Sequence, residues 1–226
     1  MNLYIDSKDR VSGTSSEFTL DLAPGIIDTK GYSVGDVAIQ RSYYNINEFN
    51  NSITFTDSTA TDYTITTTPG NYTLAQYIAL LAPQMTAISA DTITITFDSI
   101  TGAVTFSSTG NLSLQFQDSK LALLLGFEPI LYTGTTTYTG NVVQFGGTKK
   151  IYICSKQIKT YNYHRNNPEY NILTSVTVNA DFGELITKRQ DNNIIYRLEN
   201  TVKTLDLYLL DDNADLIELN GTDWNT

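Results

Sequence analysis

The chain has 226 residues, enough to bury a stable core without a metal or a disulfide. Its formal net charge of -10 produces an average field that repels phosphate backbones and anionic lipid, so we expect no direct nucleic-acid binding. No stretch of the sequence approaches the apolar length of a transmembrane helix, so we expect no membrane span.

Cysteine usage and the N-terminus both predict folding in a reducing compartment. The single Cys154 cannot form an intramolecular disulfide. It follows the apolar residues 151–153, which predicts a small buried side chain. Residues 1–6 lack the basic start and the long apolar stretch of a signal peptide.

The first quarter of the sequence predicts short strands. Residues 17–22 alternate strictly, with Phe18, Leu20 and Leu22 on one face, and the pair Pro24-Gly25 ends the pattern. Further strands are predicted at residues 32–44, 52–56 and 63–68. Short strands separated by turns are typical of a sandwich or a barrel.

One amphipathic helix interrupts the strands. Thr73 can cap its first turn, and Gln76 can complete a capping box. Pro83 is expected to kink or end the helix. The apolar stripe of this helix consists of Leu74, Tyr77, Ile78, Leu81 and Met85.

The residues after this helix predict more of a small α+β module. Residues 92–97 and 103–106 form a predicted hairpin, and residues 112–116 form another strand. Residues 120–127 predict a short buried helix that ends at Gly126. The predicted module, residues 62–131, is inserted into a β framework, and a Gly/Thr-rich linker with one weak strand follows at 132–148.

The β framework consists of residues 1–61 and 149–226. Four predicted strand regions precede the helix, the last of them, 63–68, at the start of the module, and four follow the linker, at residues 150–158, 173–178, 193–198 and 204–210. Eight antiparallel strands in two packed sheets are the number found in a jelly roll. The sequence therefore predicts a mainly β fold, a single jelly-roll sandwich with an inserted α+β module.

The sequence contains few residues suited to catalysis. The lone histidine, His164, lies in a predicted loop beside Pro168, and we expect it to be a surface residue. Asp211, Asn213 and Asp215 have the spacing that begins a calcium loop, but the required Gly and Glu are absent and an ordinary turn fits better. We expect no enzyme activity, no metal site and no cofactor.

Tyrosine, with 15 copies, is the residue type that most needs an explanation. Tyrosines at strand ends and in loops are typical of protein interfaces. Tyrosine also favours strands in general, and the sequence does not decide between the two interpretations. The candidate interface residues are Tyr43, Tyr44, Tyr161, Tyr163 and, in the turn-rich stretch 45–51, Phe49.

Several short motifs follow one another in an order typical of one family. They are Ser7-Lys8-Asp9, residues 17–22, Tyr44-Asn45-Ile46 with Asn50-Asn51, residues 69–73, residues 124–127, residues 205–212 and residues 220–224. Through this pattern, which covers nearly the whole chain, the sequence resembles the penton-type minor capsid proteins of virophages and polinton-like viruses. That family is related in architecture to adenovirus penton bases.

The resemblance implies a structural virion protein. It would be a single jelly roll that forms homopentamers at the five-fold vertices of an icosahedral capsid, next to trimeric major capsid proteins. Its location would be the virion, after assembly inside the infected host cell. The chain is short for the family, which implies small outer insertions. The alternatives are a jelly-roll carbohydrate- or receptor-binding module, such as a fibre head, and a hydrolase that would depend on His164.

Overall fold

A computed structural model describes residues 3–26, 31–160, 162–189, 196–197 and 202–226. Antiparallel strands form most of its regular secondary structure. Strands account for 45% and helices for 12%, which confirms the predicted mainly β class. The strands are β1 (Ser12–Gly13), β2 (Glu17–Ile26), β3 (Gly31–Tyr32), β4 (Val37–Gln40), β5 (Ser52–Thr56), β6 (Asp62–Thr66), β7 (Ile93–Asp98), β8 (Ala103–Gln115), β9 (Leu131–Val142), β10 (Lys150–Ser155), β11 (Tyr163–His164), β12 (Asn167–Thr177), β13 (Leu185–Lys188), β14 (Tyr196–Arg197), β15 (Val202–Leu210) and β16 (Trp224–Asn225). The helices are a 3-10 helix at Ser7–Asp9, α1 (Leu74–Ile88) and α2 (Lys120–Leu124).

The chain divides into two compact units. The first unit combines Met1–Tyr43 with Thr148–Thr226, and the second is Tyr44–Gly147. The second unit is larger than the predicted insertion at 62–131, because β5 and β9 both pair with β8 inside it. Two strands that the sequence assigned to the eight-stranded framework, β5 and β6, therefore belong to the second unit.

The first unit has two main sheets with one common core. The larger sheet has the order β1-β2-β15-β10-β12-β11, and the smaller has the order β13-β4-β16. Apolar side chains of both sheets form one buried cluster, which includes Phe18, Leu207, Ile153, Ile39 and Ile186. This arrangement is compatible with a β-sandwich.

Six strands of the first unit pair in a nested order. Strand β2 pairs with β15, with Leu20 opposite Leu205, and β4 pairs with β13, with Ile39 opposite Ile186. Strand β10 pairs with β12. The strands nearest the two ends of the sequence thus pair with each other, and so do the strands further inside the sequence. A single long hairpin that is folded over has the same pairing.

The two chain ends of the first unit are held together. The side chain of Ser7 donates a hydrogen bond to Asp223 over 2.7 Å and accepts one from the backbone N–H of Trp224 over 3.0 Å. The indole N–H of Trp224 donates to the carbonyl of Ser15 over 2.7 Å, and the Trp224 ring meets Phe18 edge-on. Trp224 is only 2% exposed, and its contacts with Ser15 and Phe18 hold it against β2.

We expect Trp224→Ala to lower the free energy of unfolding by about 3–5 kcal/mol, because it leaves a large cavity and an unpaired Ser15 carbonyl. Chemical denaturation followed by circular dichroism measures this loss. Tyr4→Ala is the matched control, since the side chain of Tyr4 is 86% exposed and its removal should change stability by less than about 0.5 kcal/mol. Equal stability of the two variants would contradict the role of Trp224.

The second unit is a sheet with two helices. Its strand order is β6-β5-β8-β7, with β9 also paired to β8. Helix α1 begins with the predicted capping box, in which Thr73 and Gln76 exchange hydrogen bonds of 2.9 and 3.2 Å. Its buried stripe contacts the same core as the sheet. Pro83 does not end the helix, which continues to Ile88 because Met85 beyond it is fully buried.

The predicted linker at 132–148 is mostly strand β9, and the strand predicted at 112–116 is the second half of β8. Tyr138 is buried and its hydroxyl donates to the carbonyl of Leu112 over 2.8 Å, while the Tyr132 ring meets Phe127 edge-on. The turn after α2 fits closely against β9. Gly126 has a φ of 82°, and a Cβ there would lie 2.3 Å from the carbonyl oxygen of Asn141.

Asp57 links the turn between β5 and β6 to the residues that follow α1. Its carboxylate accepts hydrogen bonds from the Thr59 hydroxyl over 2.6 Å and from the backbone N–H of Ala90 over 2.9 Å. These hydrogen bonds, that of Thr59 foremost, lower the pKa of Asp57 from 3.8 to about 2.

Because folding lowers this pKa, the charged form of Asp57 contributes stability above about pH 4, and the contribution is lost as the pH falls toward 2. We expect Asp57→Asn to destabilise the protein at pH 7 and to reduce the loss of stability between pH 4 and pH 2. Thermal unfolding across this pH range measures both effects. Asp118→Asn, at an exposed carboxylate, serves as the control, and an identical pH profile of both variants would contradict the assignment.

Candidate interaction surfaces

Two features that the sequence offers for chemistry are His164 and the acidic turn at residues 211–215. The backbone of His164 pairs with Asn167 in a short strand, where the sequence predicted a loop. Its side chain, predicted to be exposed, lies outside the described part of the structure. Asp211 accepts hydrogen bonds from the backbone N–H groups of Asn213 and Asp215, over 2.8 and 2.9 Å, which makes the predicted turn. Among the described residues, no group of three or more His, Cys, Asp or Glu could hold a metal ion.

Cys154 is buried, as its apolar surroundings in the sequence predict. The residue lies in β10 and has no exposed surface. Burial raises the pKa of its thiol to about 12, so the reactive thiolate is scarce at neutral pH.

We expect the native protein to be inert to Ellman's reagent at pH 8, and to react fully with it in concentrated urea. The absorbance of the released thiolate measures both rates. A Thr177→Cys variant is the control, because Thr177 is exposed on β12 and a thiol there should react at once. Rapid labelling of the native parent chain would contradict the burial of Cys154.

Tyr43, predicted as an interface residue, is buried in the core of the first unit. It is 6% exposed, and the guanidinium of Arg41 lies 5.9 Å from the centre of its ring. Burial raises the pKa of its phenol to about 12. Tyr43 therefore packs in the core, although it lies beyond the end of β4, and its ring offers almost no contact area to another molecule.

The other predicted interface residues differ in exposure and in unit. Phe49, in the second unit, is 60% exposed, and the ammonium of Lys120 lies 5.2 Å from its ring centre. Tyr163, in the first unit, is 61% exposed. Tyr44 is half-buried, and Tyr161 lies outside the described residues. The predicted set therefore has members in both units.

One surface cluster was missed by the sequence reasoning. Tyr170 and Tyr208 meet edge-on with ring centres 4.9 Å apart, and the ammonium of Lys156 lies 4.6 and 5.2 Å from them. Glu169 is 3.7 Å from the same ammonium. Lys156 directly follows β10, Glu169 and Tyr170 lie on β12, and Tyr208 lies on β15. The pairing of β10 with β12 and β15 brings these residues together.

The second unit carries a broad sheet surface of hydroxyl groups. Along its strands apolar residues face the helices, and Thr or Ser residues alternate with them on the other side. Neighbouring strands exchange hydroxyl hydrogen bonds here, between Thr54 and Thr64 over 2.9 Å and between Thr105 and Thr139 over 3.0 Å. We call this surface the hydroxyl face; it comprises Thr54, Thr56, Asp62, Thr64, Thr94, Thr96, Thr105, Ser107, Ser113, Gln115, Thr137 and Thr139.

The second unit is also poor in charge. Residues 44–147 contain seven acidic side chains, and Lys120 is their one basic residue. Solvent-facing sheet surfaces usually carry both lysine and acidic residues, and these charges prevent the sheets of different molecules from associating. The hydroxyl face therefore differs from an ordinary solvated sheet.

No protein-family model matches this chain, and no curated protein matches it in a sequence search. None of the described helices is long and apolar enough to cross a membrane. Function is therefore inferred from the fold and the surfaces of the chain itself.

Proposed function

We propose that the protein is a non-enzymatic, penton-type minor capsid protein, a homopentamer at the five-fold vertices of an icosahedral capsid. The observation that supports this most is the nested pairing of β2 with β15, β4 with β13 and β10 with β12. Nested pairing of this kind is expected of a jelly roll, an architecture common in viral capsid proteins, and it therefore supports the proposal.

The proposed jelly roll is an abbreviated one. Three nested pairs supply six of the eight strands of a full jelly roll. The remaining pair would fall between β10 and β12, where the described chain has only the two-residue strand β11. The second unit is inserted between β4 and β10, the strands that would be the second and third of the roll.

A five-fold ring needs a heterologous contact that closes on itself. Five subunits of net charge -10 repel one another, so closure would depend on apolar and aromatic contacts with paired charges. Tyr163 and Phe49 are exposed aromatic residues suited to such contacts. The neighbours in the shell would be trimeric major capsid proteins, and the protein would be located in the virion after assembly in the host cell.

We expect the purified chain to form rings of five subunits of 25.1 kDa each, because the proposed contacts are built into one chain. Analytical ultracentrifugation gives the mass, and negative-stain electron microscopy gives the symmetry. Tyr163→Asp should shift the equilibrium toward monomers, since it places a charge where an aromatic contact is proposed. Tyr4→Asp is the control, because the Tyr4 ring is also exposed, at 86% against 61% for Tyr163, and lies outside the proposed contacts.

Rings of another symmetry would contradict the proposal, as would a closed dimer. A chain that stays monomeric at high protein concentration and in high salt, where charge repulsion is screened, would exclude autonomous pentamers. Gold-labelled antibody on intact particles then tests assembly within the shell, and labelling away from the vertices would overturn the proposed function.

A further inference from the structure

We infer that the hydroxyl face of the second unit binds a neutral saccharide, with Asp62, Thr56 and Gln115 at the centre of the site. The inference goes beyond the proposed capsid role. It concerns one sheet of one subunit, so it does not depend on the formation of a pentamer.

The three central side chains form a hydrogen-bonded row across three strands. Thr56, on β5, donates a hydrogen bond to the Asp62 carboxylate on β6 over 2.6 Å. The same hydroxyl accepts a hydrogen bond from the Gln115 amide on β8 over 3.1 Å. A carboxylate and an amide have several further acceptor and donor positions, which neighbouring hydroxyls of a sugar can use as a pair.

The rest of the face is already organised for a polyhydroxylated ligand. Thr side chains have a stiff χ1 angle, and the Thr54–Thr64 and Thr105–Thr139 hydrogen bonds fix their hydroxyls further. Ordered groups lose little entropy when a ligand binds. Each hydroxyl can both donate and accept, as a sugar hydroxyl can, and the threonine methyl groups can contact the C–H faces of sugar rings.

Charge distinguishes the proposed ligand from other classes. Phosphate, sulfate and sialic acid groups need cations, and residues 44–147 contain only Lys120, which is beside Phe49. A basic peptide would need several carboxylates together. The central row offers only that of Asp62, surrounded by hydroxyls and one amide. A neutral, hydroxyl-rich ligand fits this surface best.

Saturation-transfer NMR with the full-length protein tests the inference. The neutral probes are maltotetraose, cellotetraose and chitotetraose; sialyllactose, a heparin tetrasaccharide and tetralysine are the charged comparisons. We expect at least one neutral probe to bind with a dissociation constant on the order of 1 mM, as suits a few exposed hydrogen bonds. The charged probes should bind at least about tenfold more weakly.

Variants locate the site. Asp62→Asn and Gln115→Leu should each weaken the neutral probe by about tenfold or more, because each removes one side of the central row. Ile100→Ala is the matched control, since Ile100 belongs to the second unit and is 94% exposed, but lies in the turn between β7 and β8, outside the hydroxyl face. Its affinity should stay within about twofold of the parent chain. Thermal unfolding checks that every variant is folded, and Thr56→Val replaces any that is not.

Three results would overturn the inference. One is the absence of neutral saccharide binding at about 10 mM ligand, well above the expected dissociation constant. Another is tighter binding of a charged probe. The third is an equal loss of affinity in Ile100→Ala and Asp62→Asn. All measurements use the same protein sample whose oligomeric state is known, so a failed pentamer prediction leaves their outcome readable.

Discussion

Pairing between β2 and β15 is the interaction on which the first unit depends. It joins the beginning of the chain to its end, and the contacts of Trp224 with Ser15 and Phe18 reinforce the same closure. The part of the chain between β2 and β15 can then fold into modules whose two ends lie close together. The cost of closing a loop grows slowly with its length, so an insertion of this size is tolerated when it folds by itself. In the second unit, Asn45 donates to the carbonyl of Phe145, which holds the ends of the insertion close together.

The features that the sequence predicts correctly are local. The capping box of α1 and the glycine after α2 depend on residues within one or two turns, and the structure confirms both. Strand partners are set by contacts distant in sequence. Strand β9 was interpreted as a linker because its Gly and Thr residues weaken the local pattern, and only its pairing with β8 and the burial of Tyr138 make it a strand.

The same reason explains why a candidate surface could be predicted only in part. Tyr43, at the end of a predicted strand, is buried, whereas Tyr163 is exposed, and no local pattern separates the two. Tyr132 and Tyr138 serve the core beside Phe127. Some tyrosines thus pack in the core and others are exposed, and the burial of each ring distinguishes the two groups. The hydroxyl face could be anticipated from alternating Thr residues along β7, but its extent across five strands follows from the sheet order.

The distribution of charge separates the physical roles of the two units. The first unit contains seventeen acidic and thirteen basic residues, so it can form complementary charge pairs with other copies or with a protein neighbour. The second unit has seven acidic residues and one lysine, so ion pairs can contribute little to what it binds. Salt screening therefore acts mainly on contacts of the first unit. Recognition by the hydroxyl face depends instead on the placement of neutral donors and acceptors, which the sheet register fixes.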